Sequence, residues 1–309
     1  MANYLVTGGA GFIGSHLCHR LLRDGHAVRV LDNLSSGKRQ NLPAGVDFVE
    51  GDLRDTEALR RAAAGVEFVL HEAAIASVQV SVEQPLLEQE VNLVGTLRLL
   101  EAARAAGVRR LVFAASAAAY GMDPEVPKRE AMRPTPASPY GLSKVAGEYY
   151  CRVWAEVFGL ETVCLRYFNV FGPRQDPKSP YSGVISIFLA RMLGGEAPTI
   201  YGDGEQSRDF TYVDNVVEAN VLACRARRAT GEVYNIGCAR QISVNQLVQH
   251  LNDVLGTRLA PRHVEGRAGD VRVSVADIAR AAEGLGYRPA VDFETGLART
   301  VEWMRASAG

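Results

Sequence analysis

A chain of 309 residues with a formal net charge of −1 has neither the basic surface of a nucleic-acid-binding protein nor the charged block of a membrane-surface protein. Its apolar runs are about as long as a β-strand, far short of the roughly 20 residues that a membrane span needs. Charged residues make up 22% of the chain and hydrophobic residues 47%, which is ordinary for a globular protein. We therefore expect no nucleic-acid partner and no membrane partner.

Five cysteines are dispersed along the chain, without metal-ligand spacing and without a Cys-x-x-Cys pair. An odd, scattered set favours reduced thiols over a disulfide framework. The chain opens with Met-Ala-Asn-Tyr and passes directly into a strand pattern, which leaves no room for a signal peptide. The expectation is a cytoplasmic protein.

Short β-branched, apolar runs alternate with amphipathic stretches through the first half of the chain. The predicted strands are Tyr4–Thr7, Ala27–Leu31, Val46–Glu50, Phe68–His71, Arg110–Ala115 and Thr162–Tyr167. The predicted helices between them are Ser15–Asp24, Thr56–Ala64, Val91–Ala106 and Ser143–Val157. Strands that alternate with helices indicate βαβ units. Right-handed crossovers then predict an α/β fold with a doubly wound parallel sheet of the Rossmann type.

The pattern changes after about residue 170, where a segment rich in Pro, Gly and polar residues begins. A helix is predicted at Val184–Leu193, and a turn-rich stretch follows it. Val233–Ile236 predicts one more strand of the main sheet, and the helix Thr295–Ser307 ends the chain. We therefore expect a smaller mixed α/β domain beside the main sheet.

A glycine-rich loop follows the first predicted strand, where residues 7–14 read Thr-Gly-Gly-Ala-Gly-Phe-Ile-Gly. Gly8 and Gly11 permit a tight turn and a close approach of backbone to a pyrophosphate, while Gly14 lets helix and strand pack closely. The N-terminus of the helix supplies amide donors and a partial positive charge. The pattern predicts a dinucleotide site, and the alternative is an ordinary strand-to-helix turn.

Two aspartates follow the next strands. Asp32 ends the second strand, about 20 residues after the loop, where a carboxylate accepts hydrogen bonds from ribose hydroxyls. A 2′-phosphate there would meet a like charge, and no arginine directly follows, so the sequence favours NAD over NADP. Asp52 follows the third strand, where it would either contact the adenine or cap the next helix.

Tyr140 and Lys144 stand four residues apart at the start of a predicted helix, in Ser-Pro-Tyr-Gly-Leu-Ser-Lys. This spacing places both side chains on one helix face. A free tyrosine has a pKa of about 10, and lowering it to about 7 takes roughly 4 kcal/mol. Cationic Lys144 and the positive nicotinamide ring are expected to supply this, which would make Tyr140 a general base. The alternative is a surface Tyr–Lys pair.

Ser116 lies at the C-terminal end of a predicted strand, where ligands of such sheets bind. Its hydroxyl is expected to hydrogen-bond the substrate oxygen that Tyr140 deprotonates, although a small strand-end residue is the alternative. His71, His16 and His19 fall on strand or helix positions and are interpreted as packing or surface residues. No metal site is predicted.

These residues resemble the extended short-chain dehydrogenase/reductase family, and within it the UDP-glucose 4-epimerase group, over nearly the whole chain. Besides the loop, Asp32, Ser116 and the Tyr–Lys pair, the matching segments are Val91–Thr96, Arg166–Pro173, Ser207–Phe210, Tyr234–Gly237 and Arg267–Asp270. The resemblance implies that carbon 4 of a UDP-sugar is inverted through a transient 4-keto sugar, with NAD bound throughout. One departure is Ala115, where the family often has a second hydroxyl residue.

The resemblance also implies the residues that line the site. The cofactor contacts are Gly8, Gly11, Phe12, Ile13, Gly14, Asp32, Asn33, Ser35, Gly37, Asp52, Leu53, Ala73, Asn92, Tyr140, Lys144 and Tyr167. The substrate contacts are Ser116, Tyr140, Asn169, Val184, Ile200, Tyr201, Arg208, Arg267, Asp270 and Ser274. The UDP portion is assigned to Asn169, Arg208, Arg267 and Asp270, since arginine binds a pyrophosphate in a bidentate way.

The same resemblance divides the chain and predicts its assembly. An NAD-binding Rossmann domain is expected from residues 1–170 with a return segment 211–238. A UDP-sugar-binding domain is expected from residues 171–210 and 239–309. A homodimer is expected through the two helices Val91–Ala106 and Ser143–Val157.

Ser274 bears on the choice of sugar. The resemblance places it at the far wall of the sugar pocket, where a tyrosine in related enzymes confines them to non-acetylated sugars. A serine leaves space for an N-acetyl group, so we expect UDP-GlcNAc and UDP-GalNAc as substrates alongside or in preference to UDP-glucose and UDP-galactose. The alternative is that Ser274 is only a strand residue.

Four other functions occur on this fold. Related dehydratases carry an acid pair directly after the strand-end hydroxyl and related decarboxylases a single Glu, but this chain has Ala117 and Ala118 there. A UDP-uronic-acid 4-epimerase shares the core chemistry and stays open. A non-catalytic NAD-sensing regulator would typically lose the Tyr–Lys pair, which this chain keeps.

Overall fold

The computed structural model describes residues 1–177, 183–266 and 271–308. Its strands are β1 Asn3–Thr7, β2 Ala27–Asp32, β3 Asp47–Glu50, β4 Phe68–His71, β5 Arg110–Ser116, β6 Glu161–Tyr167, β7 Val170–Phe171, β8 Thr199–Tyr201, β9 Ser207–Arg208, β10 Thr211–Tyr212, β11 Glu232–Ile236, β12 Ile242–Ser243, β13 Arg262–Val264 and β14 Val273–Ser274. Its helices are α1 Phe12–Arg23, α2 Thr56–Ala63, α3 Val78–Glu83, α4 Pro85–Gln89, α5 Gly95–Ala105, α6 Pro139–Phe158, α7 Val184–Leu193, α8 Val213–Arg225, α9 Val244–Leu255, α10 Ala279–Leu285 and α11 Phe293–Ala308. The predicted substrate contacts Arg267 and Asp270 lie outside the described residues.

Seven strands form the main sheet, in the order β11-β6-β5-β4-β1-β2-β3, and every neighbouring pair is parallel. The chain builds outwards from β1 to β3, then crosses back past β1 and builds in the opposite direction. The predicted doubly wound Rossmann-type fold is therefore confirmed. The reversal between β1 and β4 opens a crevice at the carboxyl ends of the strands, which is where ligands bind in this class of sheet.

The central strands are apolar on both faces. Consecutive residues Leu5 and Val6 of β1 are fully buried in different apolar clusters, and Val69 and Leu70 of β4 repeat the arrangement. Side chains of a strand alternate between the two faces of the sheet. A parallel sheet covered by helices on both sides requires this pattern.

The second half of the chain adds short strands beyond the carboxyl ends of the main sheet. β7 follows β6 directly and pairs with β10, β12 follows β11 and joins β9 and β14, and β8 pairs with β13. Phe171, Phe210 and Phe293 pack together here, with ring centroids 5.5–6.4 Å apart. These rings belong to the same apolar cluster as one face of the main sheet, so both parts share a core.

Two helices differ from their predicted bounds at points that matter for the site. The predicted helix Val91–Ala106 begins with a π-helical segment, Glu90–Val94, before α5 starts. Helix α6 begins at Pro139 rather than at Ser143 because Ser138 caps it, its hydroxyl accepting a hydrogen bond from Gly141 N at 3.1 Å. The earlier start places Tyr140 in the first turn of the helix.

Candidate active site

The glycine-rich loop between β1 and α1 has room for backbone only. Gly8 has φ +68°, and a Cβ there would lie 2.7 Å from Ala73 N. A Cβ on Gly14 would lie 2.2 Å from the Gly8 carbonyl oxygen. Because Gly11 precedes α1 and has no side chain, the first amides of that helix are left for a ligand. This geometry fits the pyrophosphate of a dinucleotide.

Asp32, the last residue of β2, links this loop to the next segment. Its Oδ2 accepts a hydrogen bond from Ala10 N at 2.9 Å and its Oδ1 accepts one from Leu34 N at 2.8 Å. Burial raises the pKa of Asp32. Each carboxylate oxygen has a further lone pair for a ribose hydroxyl. Nearby, the predicted contact Gly37 packs directly against Ala10.

Asp52 does not cap a helix. The cap of α2 is Asp55, whose Oδ1 accepts hydrogen bonds from Glu57 N at 2.9 Å and Ala58 N at 3.1 Å. Asp52 instead pairs with Arg54, which holds the pKa of Asp52 well below its ordinary value, and accepts from Asn33 Nδ2 at 2.7 Å. The capping alternative is therefore wrong, and the adenine contact stays a prediction.

The structure brings Ser116, Tyr140 and Lys144 together at the carboxyl edge of the sheet. The Ser116 hydroxyl, at the end of β5, donates a hydrogen bond to the Tyr140 phenol oxygen. Lys144 Nζ lies 5.9 Å from the centroid of the Tyr140 ring and donates to Ala114 O at 2.7 Å. Tyr140 and Lys144 share one face of α6, as their spacing predicts.

The chain alone does not produce the expected fall in the pKa of Tyr140. Burial raises this pKa, Ser116 opposes the rise, and the carboxylates of Glu88 and Glu72 add to it. Burial also lowers the pKa of Lys144 to about 8, partly offset by the same two carboxylates. Lys144 is therefore still largely cationic near neutral pH, but a phenolate on Tyr140 requires a second cation. A nicotinamide ring in the crevice would provide one.

Two carboxyl groups in this cleft were not predicted from the sequence as site residues. Glu72 directly follows β4 and accepts a hydrogen bond from Tyr167 OH at 2.8 Å. Glu88, fully buried in α4, accepts from Ser143 Oγ at 2.6 Å and from Asn92 Nδ2. An acid directly after an apolar strand is a usable signal for Glu72, whereas nothing local marks Glu88. The cleft thus contains carboxyl groups, although none directly follows Ser116.

Three of the predicted cofactor contacts are held by this polar network. Asn92 Nδ2 donates to Ile75 O at 3.0 Å and also to Glu88, while its Oδ1 accepts from Ile75 N at 2.8 Å. Both amide hydrogens of Asn92 are therefore occupied, one by the loop after β4, which includes Ala73, and one by Glu88 on α4. The phenol of Tyr167 donates to Glu72 and accepts from Asn220 Nδ2 at 2.8 Å. Because the hydroxyl of Tyr167 is occupied in this way, its predicted contact with the cofactor would be made by the aromatic ring.

Three of the predicted substrate contacts, Asn169, Arg208 and Ser274, lie next to Asp209. Asn169 follows β6 with a left-handed φ of +31°, unusual for a residue other than glycine, and its Nδ2 donates to Asp209 O at 3.3 Å. Arg208 on β9 is the register partner of Ser274 on β14. Asp209 N donates to Ser274 O at 2.8 Å. Three of the predicted contacts are thus neighbours.

The remaining predicted contacts lie on α7 and β8. Val184 begins α7 and is half-buried. The side chain of Ile200 is in the core, with 1% exposure, whereas the next residue, Tyr201, is exposed. Strand alternation explains the difference. Ile200 therefore has only its backbone to offer a ligand, and its predicted substrate contact stays a prediction.

The three histidines behave as interpreted from the sequence. His71 is buried between Thr7 Oγ1 at 2.8 Å and Thr96 Oγ1 at 2.9 Å, and burial lowers its pKa to about 3. His16 contacts Pro173 O at 2.9 Å, and His19 contacts a surface carbonyl. Among the residues described here, no group of three or more His, Cys, Asp or Glu side chains is arranged to hold a metal. No helix within the described ranges is long and apolar enough to cross a membrane.

Known proteins match the chain over most of its length. Residues 4–237 match the model of the NAD-dependent epimerase/dehydratase family. A UDP-glucose 4-epimerase of Mycolicibacterium smegmatis is 42% identical over 308 residues, covering 97% of this chain and 98% of its own.

Two solved structures are similar over 99% of this chain. A UDP-glucose 4-epimerase of Thermotoga maritima, solved with UDP-glucose, has a TM-score of 0.96 at 44% identity and is covered completely, at 100%. A UDP-N-acetylglucosamine 4-epimerase of Methanobrevibacter ruminantium, solved with UDP-N-acetylmuramic acid, has a TM-score of 0.95 at 39% identity and is 99% covered. These matches confirm the predicted resemblance and the predicted NAD dependence. The chain belongs to the NAD-dependent epimerase/dehydratase family.

Proposed function

We propose that the protein is a UDP-sugar 4-epimerase that works with tightly bound NAD. The observation that carries this proposal is the meeting of Ser116, Tyr140 and Lys144 beside the glycine-rich loop. Directly after Ser116 the chain has three alanines, so the acid that an elimination would use at that position is absent. The similar Thermotoga and Mycolicibacterium proteins are both named UDP-glucose 4-epimerases, which supports the same activity.

Each of the three residues has a task at carbon 4 of the sugar. NAD, when bound, supplies reversible acceptance of a hydride. The phenolate of Tyr140 takes the proton of the carbon-4 hydroxyl as its hydride leaves, and the Ser116 hydroxyl hydrogen-bonds the same oxygen. In the return half of the cycle, after the 4-keto sugar has turned over in the pocket, Tyr140 gives the proton back to the carbon-4 oxygen. Lys144 stabilises the phenolate in each half of this cycle.

We also propose that N-acetylated sugars are accepted. Ser274 is half-buried on β14, beside Arg208, the predicted pyrophosphate ligand. At the predicted far wall of the sugar pocket, a small side chain would leave space that a phenol ring would fill. The similar Methanobrevibacter structure is named a UDP-N-acetylglucosamine 4-epimerase, which supports this breadth.

Incubation of the purified protein with single UDP-sugars tests the proposal. UDP-glucose, UDP-GlcNAc and UDP-glucuronic acid would be supplied separately and the products separated by chromatography. We expect the galacto isomer from UDP-glucose and from UDP-GlcNAc. Turnover of UDP-glucuronic acid alone would replace this proposal with the uronic-acid alternative, and a product that has lost water or carbon dioxide would contradict it.

The purified protein should carry NAD and need none added. The cycle regenerates the cofactor, and the Gly8–Gly14 loop with Asp32 encloses a dinucleotide site that nothing in the cycle requires to open. Release by acid followed by chromatography should give about one NAD per chain, in keeping with a single such loop. Released NADP, or turnover that depends on stoichiometric added NADH, would contradict the assignment.

We propose that residues 1–170 with 211–238 bind NAD and that residues 171–210 with 239–309 bind the UDP-sugar. The glycine-rich loop and β1–β6 support the first part. The position of Arg208 and Ser274 on the short strands supports the second. Because the two parts share one core, we expect them to unfold together.

A homodimer is proposed from an exposed apolar face. Helices α3 and α4 pack beside α6. The exposed apolar residues of these three helices, here named the apolar face, are Val78, Val82, Leu86, Leu87, Leu142, Tyr149, Val153, Val157 and Phe158. The second helix predicted for the dimer, Val91–Ala106, does not contribute to this face: its Leu93 and Leu97 are half-buried, not exposed. The face is therefore built from α6 with α3 and α4, since a contiguous exposed apolar patch indicates an interface.

Val153→Glu should separate the dimer, because a charge would be buried in the middle of the apolar face. Ile187→Glu is the matched control, since Ile187 on α7 lies outside this face and is 41% exposed against 42% for Val153. Light scattering should give twice the chain mass of 33.4 kDa for the wild type and the control, and the single mass for Val153→Glu. A monomeric wild type at micromolar concentration would refute the dimer.

A further inference from the structure

Glu72 occupies a central position in the cleft. Its backbone follows β4 and touches the glycine-rich loop, since a Cβ on Gly8 would lie 3.0 Å from Glu72 C. Its side chain is half-buried and receives the phenol hydrogen of Tyr167 at 2.8 Å. Strands β4 and β5 are in register up to His71 and Phe113, one residue before Glu72 and Ala114, and the Ala114 carbonyl accepts from Lys144 Nζ at 2.7 Å. The carboxylate of Glu72 accordingly raises the pKa of both Tyr140 and Lys144. The proposed mechanism gives this carboxyl group no task.

The charges around Tyr140 and Lys144 come from three elements. Glu72 approaches from the end of β4 and Glu88 from α4, while Glu148 and the thiol of Cys151 lie further along α6. Glu148 is neutralised by Arg166, which binds it in a bidentate way at 2.7 and 2.8 Å. Neutral donors hold Glu88, namely Ser143, Asn92 and Gln89. His71 is neutral because burial lowers its pKa to about 3.

Lys144 is thus the cation that both Glu72 and Glu88 face. The charge of Glu72 is finely balanced, since burial raises its pKa to about 7 while the hydrogen bond from Tyr167 and the nearby Lys144 oppose the rise. An anion at this position stabilises a cationic Lys144 and destabilises an anionic Tyr140. A positive nicotinamide ring entering the crevice would favour both anions.

We propose that Glu72 is a positioning residue for charge in the proposed reaction: its carboxylate keeps Lys144 cationic and disfavours a phenolate on Tyr140 until the positive ring of NAD lies in the cleft. The inference rests on the proposed function for its purpose, because a phenolate formed only beside NAD prevents proton abstraction when no hydride acceptor is present.

Two substitutions separate the charge of Glu72 from its hydrogen bond. Glu72→Gln removes the charge and keeps an oxygen that accepts from Tyr167. Glu72→Asp keeps the charge and shortens the reach to Tyr167. If charge is what matters, Glu72→Gln changes the ionisation of Tyr140 and Glu72→Asp restores wild-type behaviour. If Glu72 served only as the hydrogen-bond acceptor of Tyr167, Glu72→Gln would behave like the wild type and Glu72→Asp would not.

The measurement is a pH titration of phenolate absorbance in the NAD-loaded protein, with Tyr140→Phe as the baseline that removes the signal of the other tyrosines. For Glu72→Gln we expect the midpoint to fall by about one pH unit, the low end of what a neighbouring like charge does. We also expect a steeper transition, because two interacting acids broaden each other's titration. The acidic limb of the kcat/KM profile should move in the same direction by the same amount.

If Tyr140 in Glu72→Gln, with NAD still bound, titrated with the same midpoint as in the wild type, the inference would be overturned. A shift in Glu72→Asp as large as that in Glu72→Gln would also overturn it. The titration uses no UDP-sugar, so its result stands even if the proposed epimerase activity fails. The NAD content of each variant, measured by acid release, shows that the cleft is intact.

Discussion

Tyr140→Phe should lose turnover by roughly 10²–10⁴-fold, the range of a positioned general acid–base group, while UDP-sugar binding is nearly unchanged. The substitution removes the transferable proton and leaves the ring in place. Ser116→Ala should cost about 10²-fold, since it deletes one hydrogen bond to the developing oxyanion. Steady-state rates, together with calorimetric binding of UDP-sugar, measure both effects.

Tyr149→Phe is the matched control for this experiment. Tyr149 lies on the same helix, α6, but is exposed on the apolar face rather than in the cleft. It should retain wild-type turnover. If Tyr140→Phe also retained a near wild-type rate, Tyr140 would not be the base.

Ser274→Tyr should remove activity on UDP-GlcNAc and leave activity on UDP-glucose. The phenol ring would occupy the volume that the N-acetyl group needs, and overpacking penalises only the larger sugar. We expect the ratio of kcat/KM for the two sugars to change by at least about tenfold, the lower end of what one misplaced group does in a pocket.

The internal control is UDP-glucose turnover by the same variant, which shows that β14 still pairs with β9. A wild type that converts UDP-glucose but leaves UDP-GlcNAc untouched would mean that another wall closes the pocket. Equal losses for both sugars in Ser274→Tyr would mean that Ser274 is a strand residue without a role in specificity.

The fold and the centre of the site could be predicted because their signals are local. Apolar runs identify the strands of the main sheet within one or two residues. The glycine spacing and the Tyr–Lys spacing depend on a single turn of chain, so their geometry follows from the sequence directly. Asp52 and Asp55 show the limit of this approach, since either could cap α2 and only the backbone path selects Asp55.

The parts that could not be predicted depend on contacts distant in sequence. Glu88 is buried because Ser143, 55 residues away, donates to it across two helices. The π-helical segment contains Asn92, whose side chain is hydrogen-bonded to Ile75 in the loop after β4, 17 residues earlier in the chain. The effect of burial on the pKa of Tyr140 likewise needs the assembled cleft, and the apolar face needs three helices side by side.

The most direct test of the central claim follows the hydrogen on carbon 4 of the sugar. UDP-glucose carrying deuterium at carbon 4 would be converted in ordinary water and the product examined by NMR. If the hydride is taken up and returned within one site, the UDP-galactose formed keeps the deuterium at carbon 4 with inverted configuration. Loss of the deuterium to solvent, or inversion at another carbon, would contradict the proposed reaction.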